Sequence, residues 1–220
     1  MNLNNRFVVL SVLLFAAVVY LLAWSPVFTV KSIDVTGAPS SVSTTSLINK
    51  SGVTVGEKLA RIEPRSIEKF FDEISWVKSA SVSRNWISGS VSIEMVPRVA
   101  VGIYNDKALD ADGFIFDLPG ATPPGLPVVS ASSPVLGLSA IELFSGLPTD
   151  IKDSMISLSA SSESTITSWQ QFGASKIKVT WGSASQINLK VSVYRALIAL
   201  PENKAIHRMD LSAPHAPIVK

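Results

Sequence analysis

The chain opens on an unbroken apolar run. Phe7 to Trp24 reads FVVLSVLLFAAVVYLLAW, in which only Ser11 is not apolar, and no charge falls between Arg6 and Lys31. Eighteen helical residues at 1.5 Å each span about 27 Å, close to the thickness of a bilayer core. The pattern predicts a transmembrane anchor over 7–26, with Tyr20 and Trp24 toward the outer interface and Pro26 ending the helix. A cleaved signal peptide has a shorter apolar stretch and a small-x-small site, whereas Leu22-Ala23-Trp24 puts a bulky ring there. Arg6 and the terminal amine place residues 1–6 as a short cytoplasmic tail and everything after the anchor outside the cytoplasm.

Beyond the run the periodicity changes. In FTVKSIDVTG, Phe28 and Val30 alternate, as do Ile33 and Val35, and the two pairs are out of phase by one residue. A strand with a bulge near Lys31–Ser32 restores one face. Thr44 or Thr45 caps a short helix through Lys50, which buries Leu47 and Ile48 and stops at Gly52. Pro64 starts a second helix, with Ile67, Phe70, Phe71 and Ile74 as one stripe and Glu68, Lys69, Asp72 and Glu73 on the wet face. Two half-exposed strands follow. Ala80 and Val82 alternate with serines, with Trp86 continuing their face, and after an Ile87-Ser88-Gly89 turn Val91, Ile93 and Met95 alternate with Ser90, Ser92 and Glu94.

That β-α-α-β-β order, opened by FTVKSIDVTG and closed by WVKSASVSRNW, resembles a POTRA domain. A POTRA domain directly after one N-terminal anchor resembles the FtsQ/DivIB cell-division family. The second half adds to the likeness. VPRVAVGIY resembles the family's crossing into a second domain, and ALDADGFIF resembles its valine-aspartate-x-x-glycine hairpin. Asp112-Gly113 is itself a hairpin signal between Ala108–Leu109 and Phe114–Phe116. WGSASQINLKVSVYRALIAL resembles the family's Gly, Lys and short amphipathic helix, with Tyr194, Leu197 and Ile198 facing inward. IHRMDLSAPHAPIV resembles its closing strand. Ile87 stands where the family usually carries proline, and the basic tail of many members is missing. The residues also predict strands at 126–129, 155–158, 176–181 and 186–191, and a helix over 135–147.

The fold class expected is α+β: an N-terminal transmembrane helix, then a POTRA domain over 27–96, then a mixed β-rich domain over 97–220 with an open sheet edge. A formal net charge of +2 gives no field that calls for nucleic acid. With no cysteine, disulfides, thiolate metal sites and a Cys nucleophile are excluded. No H-E-x-x-H, phosphate loop or G-x-S-x-G occurs. His207 and His215, with only Asp210 nearby, read as surface polar residues. Asp110 and Asp112 read as turn builders, since a calcium cage needs about six ligands or more. The abundant serines read as wet strand faces, and Trp76, Trp86, Trp169 and Trp181 as core residues. The expectation is a protein that is not an enzyme, without metal, cofactor or small-molecule substrate.

The resemblance implies a single-pass scaffold at the division septum. It implies binding of FtsB/FtsL-type coiled-coil partners outside the cytoplasm and, through them, regulation of septal peptidoglycan synthesis by an FtsW/FtsI-type pair. Membrane lipid would be met through Phe7–Trp24. Strand addition to an open sheet edge is the expected mechanism. The matching positions are Ile206, His207, Arg208, Met209, Asp210, Leu211 and Ser212, with Tyr194 and Arg195 on the helix beside them. A proline at Met209 or Leu211 is expected to remove an edge donor. A POTRA-type chaperone or secretion component that passes client chains along its edge is the alternative reading.

Overall fold

Helix α1 spans Leu3–Trp24. The computed structural model describes residues 3–24 and 27–220, with the side chains of α1 described from Phe7 to Tyr20. Among the described residues no helix is long and apolar enough to cross a membrane. The observed class is therefore α+β without the transmembrane helix expected over 7–26, and that element is withdrawn. Of the tail expected over 1–6, residues 3–6 belong to α1, whereas residues 1–2, the Trp24 ring and Pro26 lie outside the described residues. In α1 the hydroxyl of Ser11 donates to the Phe7 carbonyl at 2.9 Å, which satisfies the run's one polar side chain within the helix.

The chain divides into two units, Met1–Arg98 and Val99–Lys220. In the first, β1 (Ser32–Thr36), α2 (Thr44–Ser51), α3 (Pro64–Asp72), β2 (Val77–Asn85) and β3 (Ser90–Pro97) follow in turn. The sheet order is β1-β3-β2, with β1 parallel and β2 antiparallel to the central β3. The phase break near Lys31 has a simple cause. Residues 28–30 do not extend β1; they pair with 56–59, through Val30 N–H to Glu57 O, Gly56 N–H to Val30 O and Leu59 N–H to Phe28 O. Lys31 then donates to Gly89 O, and the chain turns into β1 with the opposite phase.

Helix α2 is capped by Ser43, whose hydroxyl accepts from Ser46 N–H, rather than by Thr44 or Thr45. It ends at Gly52, whose φ of 78° is the left-handed stop that glycine favours. Helix α3 buries Ile67 and Phe71, while Phe70 is only half-buried and packs edge-on against Phe71 at 5.2 Å. Val82, Val91, Ile93 and Met95 complete this core. The turn that lacks proline at Ile87 is held by Asn85. Its side chain accepts from Ile87 and Ser88 N–H at 3.0 and 3.1 Å, and its carbonyl accepts from Gly89 N–H.

The second unit is one nine-stranded mixed sheet. Its strands are β4 (Ala100–Tyr104), β5 (Lys107–Asp110), β6 (Ile115–Phe116), β7 (Val128–Ala131), β8 (Met155–Ser162), β9 (Thr165–Phe172), β10 (Ser175–Gly182), β11 (Arg208–Asp210) and β12 (Ile218–Val219). Their order is β12-β11-β10-β9-β8-β7-β4-β5-β6. Three helices belong to it: α4 (Pro134–Gly146), α5 (Thr149–Asp153) and α6 (Ile187–Ala199). Ile141, Leu143, Val191 and Tyr194 from the helices share one core with Leu158, Ile166, Ile177, Val179, Trp181 and Met209 from the strands.

The strand expected at 186–191 is the start of α6. Ile187, Leu189 and Val191 alternate, but Ile187, Lys190, Val191 and Tyr194 recur at helical spacing, and burial of the last three decides for the helix. Strand β9 was not foreseen, because its inward row is Ile166, Ser168 and Gln170, and two polar residues hide the period of two. In the β5–β6 hairpin the buried Asp110 accepts from Asp112 and Phe114 N–H at 3.0 and 2.8 Å, around Gly113 with a φ of 82°.

Phe71 and Ile93 are fully buried in the first unit. Phe71→Ala is expected to cost about 3–5 kcal/mol of that unit's stability. Denaturant titration with amide exchange at Val91, Ile93 and Met95 checks this, and unchanged protection there would contradict the placement of α3 on the sheet.

Candidate partner interface

The residues expected to meet a partner are in the second unit, and the structure divides them between interior and surface. Strand β11 lies between two neighbours. On one side it runs parallel to β10, with Val179 opposite Met209, Lys178 N–H bonded to His207 O and Leu211 N–H bonded to Thr180 O at 2.7 Å. On the other it runs antiparallel to β12, with Met209 opposite Val219 and Asp210 opposite Ile218. The expected docking stretch, 206–212, is therefore not a sheet edge. The His207 carbonyl, the main-chain groups of Met209 and the Leu211 N–H face β10, so a proline at Met209 or Leu211 breaks the sheet's interior rather than an edge.

The side chains divide in the same way. Ile206, Met209 and Leu211 are buried, whereas His207, Arg208 and Ser212 are exposed. Asp210 accepts from both the N–H and the hydroxyl of Ser212, at 2.9 and 2.7 Å, which closes the turn after β11. His215 is exposed as well. Among the described residues no group of three or more His, Asp or Glu could hold a metal ion.

Tyr194 faces inward and anchors a buried polar chain. Its hydroxyl donates to Gln170 Oε1 at 2.6 Å, Gln170 Nε2 donates to Ser168 Oγ at 3.3 Å, and Trp181 Nε1 donates to the same hydroxyl at 2.8 Å. Burial raises the Tyr194 phenol above its ordinary pKa, and the nearby Asp150 charge adds to this. Arg195 lies outside this chain. Its Nη2 bonds both Asp150 oxygens, at 2.8 and 2.9 Å, and that hydrogen bond holds the Asp150 carboxyl below the usual carboxylate range. Lys190 is buried with its ammonium donating to Ser183 O at 2.7 Å, and burial lowers its pKa. These contacts fix α6 and the 182–186 loop against the strands that lead to β11.

The edge at this end of the sheet is β12. Arg208 and Lys220 exchange both main-chain bonds, at 2.9 and 3.0 Å. By the alternation of an antiparallel ladder, Val219 then turns its N–H and C=O outward. The same register builds a row across the solvent face. Trp169 stands opposite Lys178, Lys178 opposite Arg208, and Arg208 pairs with Lys220. Trp169 is 44% exposed, so it is a surface residue and not the core residue expected. Lys178, Arg208 and Lys220 line a groove of about 270 Å³ with Thr180, Asp210 and Ile218. Sequence reasoning missed Trp169, Lys178 and Val219. The first two become a pair only through β9, whose period was hidden, and a two-residue strand directly after Pro217 carries no period at all.

Tyr194→Phe is expected to destabilise the second unit by about 1–3 kcal/mol, because Gln170 Oε1 loses its shortest donor. The pH dependence has a definite sign. A phenol whose folded pKa is raised contributes stability that is present below about pH 10 and lost as pH climbs through the folded value. Lys190 acts oppositely, its burial penalty fading as pH rises toward the ordinary ammonium value. Wild type minus Tyr194→Phe isolates the tyrosine, so denaturation from pH 8 to 11 is expected to show their stabilities converging. A constant gap would contradict the buried phenol.

Residues 28–96 match the family model described as POTRA domain, FtsQ-type. The stretch begins in the segment that pairs with 56–59 and ends one residue before the end of β3, so it takes in all three strands of the sheet and both of its helices. No curated protein matches the chain.

Proposed function

We propose, from the FtsQ-type POTRA domain that this chain carries and the FtsQ/DivIB family to which that domain ties it, that the protein is a division-site scaffold. The domain type points to a role in cell division. The partner we infer is an FtsB/FtsL-type coiled-coil protein, through which the chain would influence septal peptidoglycan synthesis by an FtsW/FtsI-type pair. No catalytic step is assigned to it.

The observation that carries this reading is the outward Val219 beside the cationic row. An extended partner segment laid along β12 would bond to the Val219 N–H and C=O and continue the sheet to a tenth strand. Its acidic side chains would meet Lys178, Arg208 and Lys220, which set sign and register, while Trp169 offers an exposed aromatic contact. The docking positions are therefore moved from 206–212 to β12, with Arg208 as the residue common to both. Tyr194 supports the site from within and does not touch the partner. Arg195 is held by Asp150.

Val219→Pro tests this directly. It removes the outward donor and leaves the inward bonds of Lys220 in place. Binding of the FtsB-type protein is expected to weaken about tenfold or more, with the melting temperature unchanged. Equal binding by the variant in a calorimetric titration would end the edge-pairing reading. A midcell band of a fluorescent fusion that persists while partner binding is lost would separate recruitment from docking.

A further inference from the structure

The POTRA sheet has its own edge, and it is not bare. In β2, Ala80 and Val82 sit at the centre of the strand with their N–H groups turned away from β3. Ala80 N–H donates to Asp72 Oδ1 at 3.0 Å, and Val82 N–H donates to Glu68 Oε1 at 2.9 Å. Both acceptors come from α3, four residues apart and so on one face of the helix. Two like charges at that spacing weaken an isolated helix, and nothing in α3 itself calls for them. Their positions fit the two donors instead. Each carboxylate stands where the carbonyl of a neighbouring strand would stand, and bonds to a charged acceptor are stronger than bonds between neutral groups.

We propose that Glu68 and Asp72 are a lock on the β2 edge, which prevents a second copy of this chain from pairing β2 to β2. This goes beyond the role assigned to β12 and does not depend on it. In an antiparallel pairing of two copies centred on Ser81, Ala80 of each meets Val82 of the other as hydrogen-bonded pairs, and both N–H groups that pairing needs are the two the carboxylates hold. The exposed Ser79, Ser81 and Ser83 carry no charge, and of the cations that the register sets opposite each other, Lys78 and Arg84, the second is turned to the Leu59 and Ile62 carbonyls of its own copy. An unpaired edge of this length invites such association, and side-chain charge brought to the edge is a recognised remedy. Any extended segment that reaches β2 must first displace both carboxylates.

The chain contains no cysteine, so one introduced thiol reports the pairing. Ser81→Cys puts it at the centre of β2, where two copies would stand in the close, non-bonded register. The full chain carrying Ser81→Cys is treated with a short bismaleimide, alone and combined with Glu68→Ala/Asp72→Ala or with Glu68→Gln/Asp72→Asn. The alanine pair is expected to give about tenfold more crosslinked dimer than the background, the change of one charge-assisted bond. The amide pair keeps an acceptor oxygen at both positions and is expected to stay at background. The single alanine variants, each freeing one N–H, are expected between the two and serve where the double variant does not fold. Equal crosslinking with and without the carboxylates would overturn the lock. Crosslinking by the amide pair equal to the alanine pair would overturn it too, by showing that charge alone and not the bond keeps copies apart. The same yield from Ser88→Cys, in the β2–β3 turn, would place any association elsewhere.

Discussion

An open sheet ends in a row of main-chain donors and acceptors, and something must be done with them. This constraint organises both units. In the first, the sheet is only three strands wide, so two of its three strands are edges. Helix α3 packs on the sheet through Ile67 and Phe71 and is thereby carried along β2, close enough for Glu68 and Asp72 to reach the outward N–H groups. The hydrophobic stripe and the edge contacts are thus one arrangement: burying Phe71 sets the distance at which the two carboxylates work. In the second unit the sheet continues until β12, a two-residue strand that covers β11 and leaves the outward positions of Val219 as its own boundary.

What holds β11 and β12 in place lies deeper. Trp181, Ser168, Gln170 and Tyr194 form a chain of buried polar contacts between β10, β9 and α6. Each member has a partner, which is the condition for burying polar groups without a net loss. Val179 and Trp181 are fully buried beside them, and β10 in turn offers Lys178 N–H and Thr180 O to the residues flanking β11. The surface row from Trp169 to Lys220 follows from the same register, because residues opposite each other on neighbouring strands share a face. A partner at β12 would therefore meet a geometry set by residues that it never touches.

Much of this was legible in the residues. The stripe in α3 and the alternation of Val91, Ile93 and Met95 placed the first sheet, since both elements bury one face and wet the other. Asp112-Gly113 placed a hairpin, since its backbone needs the conformations those residues tolerate. Other parts were hidden for stateable reasons. Ser168 and Gln170 face the core, so β9 had no apolar period. Glu68 and Asp72 read as wet-face charges, since nothing in a helical pattern reveals a strand beside it. The stretch 206–212 carries the composition of a closing strand, but whether it is an edge depends on Ile218 and Val219, too short a pair to announce themselves. The anchor was read from hydropathy alone, and the described residues contain no helix long and apolar enough to cross a membrane.

The central claim is that β12 is the strand-accepting edge of the second unit, and amide hydrogen exchange at Val219 tests it most directly. The account predicts fast exchange at Val219 in the free chain, slower exchange at Lys220, whose N–H is bonded to Arg208 O, and marked protection of Val219 when the FtsB-type protein is added. An unchanged Val219 amide in a complex that protects residues elsewhere would contradict it.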